Sequence, residues 1–183
     1  MANQSDMKKT ILAIFAGLLF LISDAKRNET DSIPPNLTDV ATSDGLVSAL
    51  YDVISGPAGQ KRSWDRMRTL FIPEARMMAT GKGPDGNMVK RNTSVEDYIN
   101  TSGPRLEKDG FFEQEISRKT DQFGNVVHLF STYAAKRKKE DEKPFLRGIN
   151  SIQLWNDGKR WWIVSIFWQA ESPENPLPSK YLD

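Results

Sequence analysis

The chain has one histidine and no cysteine. That excludes disulfides, thiolate metal sites, cysteine nucleophiles and, within one chain, any multi-histidine metal centre. His128 lies in the run Asn125-Val126-Val127-His128-Leu129-Phe130-Ser131-Thr132-Tyr133. Strand alternation puts Val126, His128, Phe130 and Thr132 on one face. An imidazole there would serve as a general base near neutral pH, or would simply be hydrogen-bonded on a sheet.

A second group lies on Pro144–Trp155. Alternation places Arg147 with Ile149, Ser151 and Gln153, and Asn150 with Leu146, Gly148 and Ile152. A lone amide on an apolar face either fixes a ligand in a pocket or bonds a helix end. At least one of Tyr98, His128 and Trp168 is expected to line the same cavity as Asn150. One bulge between Phe145 and Asn150 would exchange the faces and turn Arg147 and Ser151 inward, favouring an anion. On Phe111–Thr120, the apolar Phe112 and Ile116 assign Gln114 to the inner side and Glu113 and Glu115 to solvent. No cofactor or metal is implied. The candidate set is therefore His128 for catalysis, and Tyr98, His128, Arg147, Asn150 and Trp168 for a small ligand.

The elements that must hold these residues follow from composition and periodicity. The 183 residues carry a net charge of +1, with 25 Lys+Arg against 24 Asp+Glu. This is one domain with extensions, and no basic nucleic-acid protein. Lys8-Lys9, the uncharged Ile11–Ile22 and Ser23-Asp24-Ala25 have the layout of a secretory signal peptide. Cleavage after Ala25 would leave 183 − 25 = 158 residues, secreted or periplasmic, with no membrane contact after processing. Residues 26–43 read as a polar linker, 44–170 as the folded domain and 171–183 as a Pro-rich tail.

Within the domain, Leu46, Val47, Leu50, Val53 and Ile54 form one helical stripe ended by Gly56-Pro57. Ser63 caps a second helix bearing Trp64, Met67, Leu70 and Phe71, ended by Pro73. A hairpin over Ala75–Thr80 and Asn87–Arg91 follows. Thr93 and Glu96 form a capping box for a third helix. Four strands then run over Phe111–Thr120, Asn125–Arg137, Pro144–Trp155 and Arg160–Ala170. The order predicts an α+β fold in which a strongly curved antiparallel sheet wraps three helices as a cone.

The run Trp64–Arg76, with Arg147–Leu154 and Gly158–Ser165, resembles the second helix and closing hairpin of nuclear transport factor 2-like, or SnoaL-like, domains. The likeness in element order spans about residues 44–170. The cone keeps an opening between sheet and helices for a small ligand, and since Trp161 and Trp162 face opposite ways, the outward one suits a homodimer contact through the sheet. The superfamily holds isomerases, dehydratases, cyclases, epoxide hydrolases and binding modules, so the fold does not choose an activity. Neither the Asp/His pairing of its dehydratases nor the Asp-Arg-Asp set of its epoxide hydrolases can be assigned here. The sequence thus favours an exported small-molecule-binding domain, with a metal-independent lyase or isomerase using His128 as the alternative.

Overall fold

The apolar stripe Leu46, Val47, Leu50, Val53 and Ile54 is buried along one helix, Ser43–Ile54. The structure is a computed structural model that describes residues 33–183, and this is the second of four α-helices among them. The expected signal segment, residues 1–25, lies outside the described residues. The elements run α1 Leu37–Val40, α2 Ser43–Ile54, α3 Trp64–Leu70, β1 Phe71–Lys82, β2 Met88–Thr93, α4 Val95–Asp109, β3 Phe112–Phe123, β4 Val126–Lys136, β5 Leu146–Asn156 and β6 Trp161–Ala170.

Local chemistry sets the helix ends. The Thr42 side chain accepts from Gly45 N–H at the start of α2. At α4 the capping box is Ser94 with Asp97, one residue beyond the expected Thr93 and Glu96. Thr93 instead donates to the Met77 carbonyl and ties β2 to β1. The polar arm expected before residue 44 contains a helical turn, α1, whose Asp39 is buried against the Arg66 guanidinium at 2.7 Å. Helix α4 runs unbroken through Gly103-Pro104. Gly103 is there for packing, since an added Cβ would lie 2.9 Å from the Trp64 ring of α3.

The six strands form one sheet in the order β2-β1-β6-β5-β4-β3. All neighbours are antiparallel except β1 and β6, which run parallel. Pro73 does not end the second element; β1 begins at Phe71, and Pro73 falls in the stretch between Phe71 and Arg76 where the pairing with β6 is interrupted. Further register shifts fall between Glu115 and Ser117 and between Gln153 and Leu154. Such irregularities bend a strand and increase its twist, which curls the sheet around α2 and α4. Met67, Leu70, Leu129, Ile152, Leu154 and Ile163 fill the closed part of the cone.

The tail after β6 is tied down on the outer face. Glu171 pairs with Arg147 at 2.5 Å. Thr132 Oγ1 donates to the Tyr181 carbonyl at 2.7 Å, and Ser117 Oγ to that of Asp183 at 2.8 Å. Phe130 meets the Tyr181 ring at 5.0 Å.

Candidate functional site

Alternation on β5 turns Asn150 inward with Gly148 and Ile152, and no bulge intervenes between Leu146 and Asn150. Asn150 is 7% exposed and borders a cavity of about 180 Å³ at the open end of the cone. Helix α2 supplies Leu50, Tyr51 and Ile54 to its wall; α4 supplies Tyr98, Ser102, Arg105 and Leu106. The sheet adds Met77, Glu113, Tyr133, Leu146, Ile166 and Trp168, and Phe111 closes one side. Tyr98 stands edge-on to Trp168, with ring centroids 6.3 Å apart at 88°.

Glu113 was expected to face solvent and instead borders this cavity. Cross-strand pairing explains why. Glu113 lies opposite the fully buried Ala135, and Glu115 opposite Tyr133, so both carboxylates share the inner face of β3. Ile116, taken as an inward anchor, is 39% exposed and sits at the bulge. The reading by hydrophobicity was therefore off by one face. The Glu113 N–H donates to Ser55 Oγ at 3.0 Å, which fixes the strand against the end of α2.

A directed hydrogen-bond chain leads away from Glu113. Asn150 Nδ2 donates to Glu113 Oε1 at 3.3 Å and to Tyr51 Oη at 3.1 Å. Tyr51 Oη and Ser131 Oγ lie 2.7 Å apart, and Ser131 Oγ donates to Glu115. Glu115 is ion-paired with Arg118 at 2.7 Å. Since Ser131 spends its proton on Glu115, Tyr51 donates to Ser131 and accepts from Asn150. That order fixes the Asn150 amide with its nitrogen toward Glu113.

The hydroxyls of Tyr98 and Tyr133 have no hydrogen-bond partner among the described residues. Room for Tyr133 comes from Gly148, where a Cβ would lie 2.6 Å from the hydroxyl and 2.3 Å from the Gln169 carbonyl. Burial pushes the Glu113 carboxyl up to about 7, against a smaller downward pull from the Asn150 amide. Burial, and then the nearby Glu113 charge, push the Tyr51, Tyr98 and Tyr133 hydroxyls upward, so they remain donors. The arrangement can hold a polar group against neutral donors and exchange a proton with it.

Of the sequence candidates, Tyr98, Asn150 and Trp168 meet at this cavity. His128 and Arg147 lie on the outer face. His128 Nε2 is 2.9 Å from Ser151 Oγ, and Arg147 is taken up by Glu171. Tyr51, Tyr133 and Glu113 are absent from the candidates read from the sequence. The first occupies a buried position on the α2 stripe, three before Ile54, which its spacing alone could have shown. A larger space of about 400 Å³ separates the outer face from the tail. Its one charged side chain, Glu171, is already paired, so it offers less chemistry than the cavity.

Solved structures share this architecture. A protein of unknown function with a cystatin-like fold from Nostoc punctiforme matches at TM-score 0.52 and 11% identity, over 73% of this chain and 90% of that one. A candidate Ca/calmodulin-dependent kinase II association domain from Exiguobacterium sibiricum matches at 0.50 and 11%, over 77% and 98%. An NTF-2-like protein of unknown function from Silicibacter pomeroyi matches at 0.49 and 13%, over 72% and 94%. The fold expected from the sequence, a curved sheet packed on helices, is the one these structures share. No protein-family model matches the sequence, and no curated protein does. At 11–13% identity the likeness is one of fold. In this chain the chemistry must be argued from Glu113, Asn150 and the tyrosines.

Proposed function

We propose that the protein binds a small organic molecule in the cone cavity. The ligand is apolar where it meets Leu50, Ile54, Met77 and Ile166, and polar where it meets Asn150, Glu113 and the open tyrosine hydroxyls. The observation that carries this reading is a cavity bordered by the Tyr98 and Tyr133 hydroxyls, which have no partner among the described residues, and by a carboxyl with a single amide contact at 3.3 Å. The two hydroxyls and the carboxyl reach the cavity surface with hydrogen-bonding capacity to spare, which a polar group of a guest can take up. Asn150→Leu tests it. The variant should keep its fold and lose about tenfold or more in affinity for a ligand found by screening, the equivalent of one hydrogen bond. A loss of melting temperature with affinity intact would make the amide purely structural.

A second reading, proton-transfer catalysis of the isomerase or lyase type, is favoured by one observation, the Glu113 carboxyl held at about 7. A base with that property is suited to work at neutral pH. Glu113 then takes the role first considered for His128. It would accept a proton from a carbon beside a carbonyl, with the electron pair passing to the carbonyl oxygen and a Tyr98 or Tyr133 hydroxyl donating to that oxygen.

Export belongs to the same proposal. It is supported by Lys8-Lys9, Ile11–Ile22 and Ser23-Asp24-Ala25. N-terminal sequencing of the processed protein should begin near Lys26; an intact Met1 on extracellular or periplasmic material would refute cleavage.

A further inference from the structure

We infer that the cavity takes a small organic cation, a protonated amine on a flat or apolar body. This rests on the cavity being a binding site, and it names the class of ligand.

The argument starts from the charges. Glu113 is the acidic group at the cavity, and among the described residues it forms no ion pair. Its one side-chain partner is the Asn150 amide at 3.3 Å, a nitrogen shared with Tyr51. Glu115, two residues on, has both a hydroxyl and a guanidinium. A carboxylate without a counter-charge is costly in a largely apolar cavity, and a bound cation removes that cost. An anion would meet the same carboxylate as repulsion.

The walls point the same way. Tyr51, Tyr98, Tyr133, Phe111 and Trp168 surround the space beside Glu113. Aromatic faces carry negative potential and attract ammonium groups, and rings set at right angles, as Tyr98 and Trp168 are, form the corner of a cage. The volume of about 180 Å³ suits a single ring with a short arm. Arg105 borders the cavity from the exposed side of α4 and is not ion-paired with Glu113.

The site is pH-linked. The charged and titratable groups around Glu113 are Tyr51 from α2, Tyr98 and Arg105 from α4, Tyr133 from β4 and Glu115 on its own strand. Asp52, Lys136 and Lys139 border its far side in a separate surface depression, where Asp52 is paired with Arg66. The tyrosines are pushed upward and stay neutral. Glu113 holds its proton up to about pH 7. A cation needs the carboxylate, so its affinity should rise with pH by about tenfold per unit below 7 and level off above.

Calorimetric titration of the full chain with three probes of one size decides the matter: benzylammonium, benzyl alcohol and benzoate. At pH 8 benzylammonium should bind at least tenfold more tightly than benzyl alcohol, with benzoate weakest. Glu113→Gln should bring the ammonium down to the level of the alcohol and flatten its pH profile. Equal binding of alcohol and ammonium, tighter binding of benzoate, or full ammonium affinity in Glu113→Gln would each overturn the cation assignment and leave the cavity as a binding site. Failure of all three probes to bind or to shift Trp168 and Tyr98 resonances would remove the cavity reading as well. The three-probe comparison needs only the wild-type chain, so it stands even where the variant folds poorly.

Discussion

Two buried polar clusters in this domain are built from similar groups and end in opposite states. The first joins α2 and α4 through Arg62, which is 7% exposed. Its guanidinium donates to the carbonyls of Ile54, Pro57, Gln60, Gly56 and Leu106, at 3.1, 3.4, 2.6, 2.6 and 3.2 Å. Glu107 beside it accepts from Lys61 Nζ, Arg62 N and Trp64 Nε1, at 2.8, 3.1 and 2.9 Å. Lys61 and these N–H donors pull the Glu107 carboxyl below its usual range. The second cluster is Glu113 with Asn150 and the tyrosines. There one carboxyl has one long amide contact and is pushed upward instead. The first cluster is complete, so its role is to hold the chain after α2 against the end of α4. The second leaves donors and a carboxyl facing an open space, and that remainder is what a ligand can use.

The comparison predicts opposite responses to deletion. Arg62→Met removes five donated bonds while leaving a similar apolar length. Breaking such a buried charged network should cost about 3–5 kcal/mol. Urea denaturation should show the midpoint collapsing, and a midpoint near wild type would mean that the carbonyls find other donors and the first cluster is not structural.

Glu113→Gln should behave the other way. A carboxyl raised from 4.5 to about 7 binds its proton more tightly in the folded chain than in the unfolded one. Its stabilising contribution is therefore complete below about pH 4.5 and lost as pH rises through 7. The shift corresponds to roughly 3 kcal/mol. Denaturation of the ligand-free protein at pH 5 and pH 8 should show that decline, and Glu113→Gln should flatten it and be the more stable protein at pH 8. A Glu113→Gln protein less stable than wild type at pH 8 would place Glu113 with Arg62 as a structural residue.

The sequence carried the fold further than the site. Element order was legible because α2 has a clean 3.6-residue stripe and β3 to β6 are separated by short polar turns. The ends were less so. Thr93 and Ser94 can both cap α4, and only the three-dimensional path of β2 sends Thr93 to Met77. Asn150 could be assigned a face because β5 alternates without interruption from Leu146. Glu113 could not, because Phe112 and Ile116 gave β3 a false apolar face. The bulge at Ile116 and the pairing with Ala135 and Tyr133 decide its orientation, and both are tertiary facts. Arg62 was silent for a related reason, since its partners are backbone carbonyls that no side-chain pattern advertises.

The smallest effect belongs to the residue the sequence made most prominent. His128 sits on the face of β4 that turns away from the cavity, with Ser151 as its hydrogen-bond partner and Phe130 at 6.0 Å. His128→Ala removes one partly exposed neutral hydrogen bond and should cost about 1 kcal/mol or less. Probe binding and its pH profile should be those of wild type, because the inner face of the sheet is untouched. The variant also sharpens the comparison above. As the only histidine of the chain, it is the residue to exclude as the source of any transition near neutral pH. If the decline in stability between pH 5 and pH 8 persists in His128→Ala and vanishes in Glu113→Gln, the transition belongs to the open cluster. If the two variants exchange those results, the outer face holds the titrating group and the distinction between a complete and an incomplete cluster loses its functional meaning.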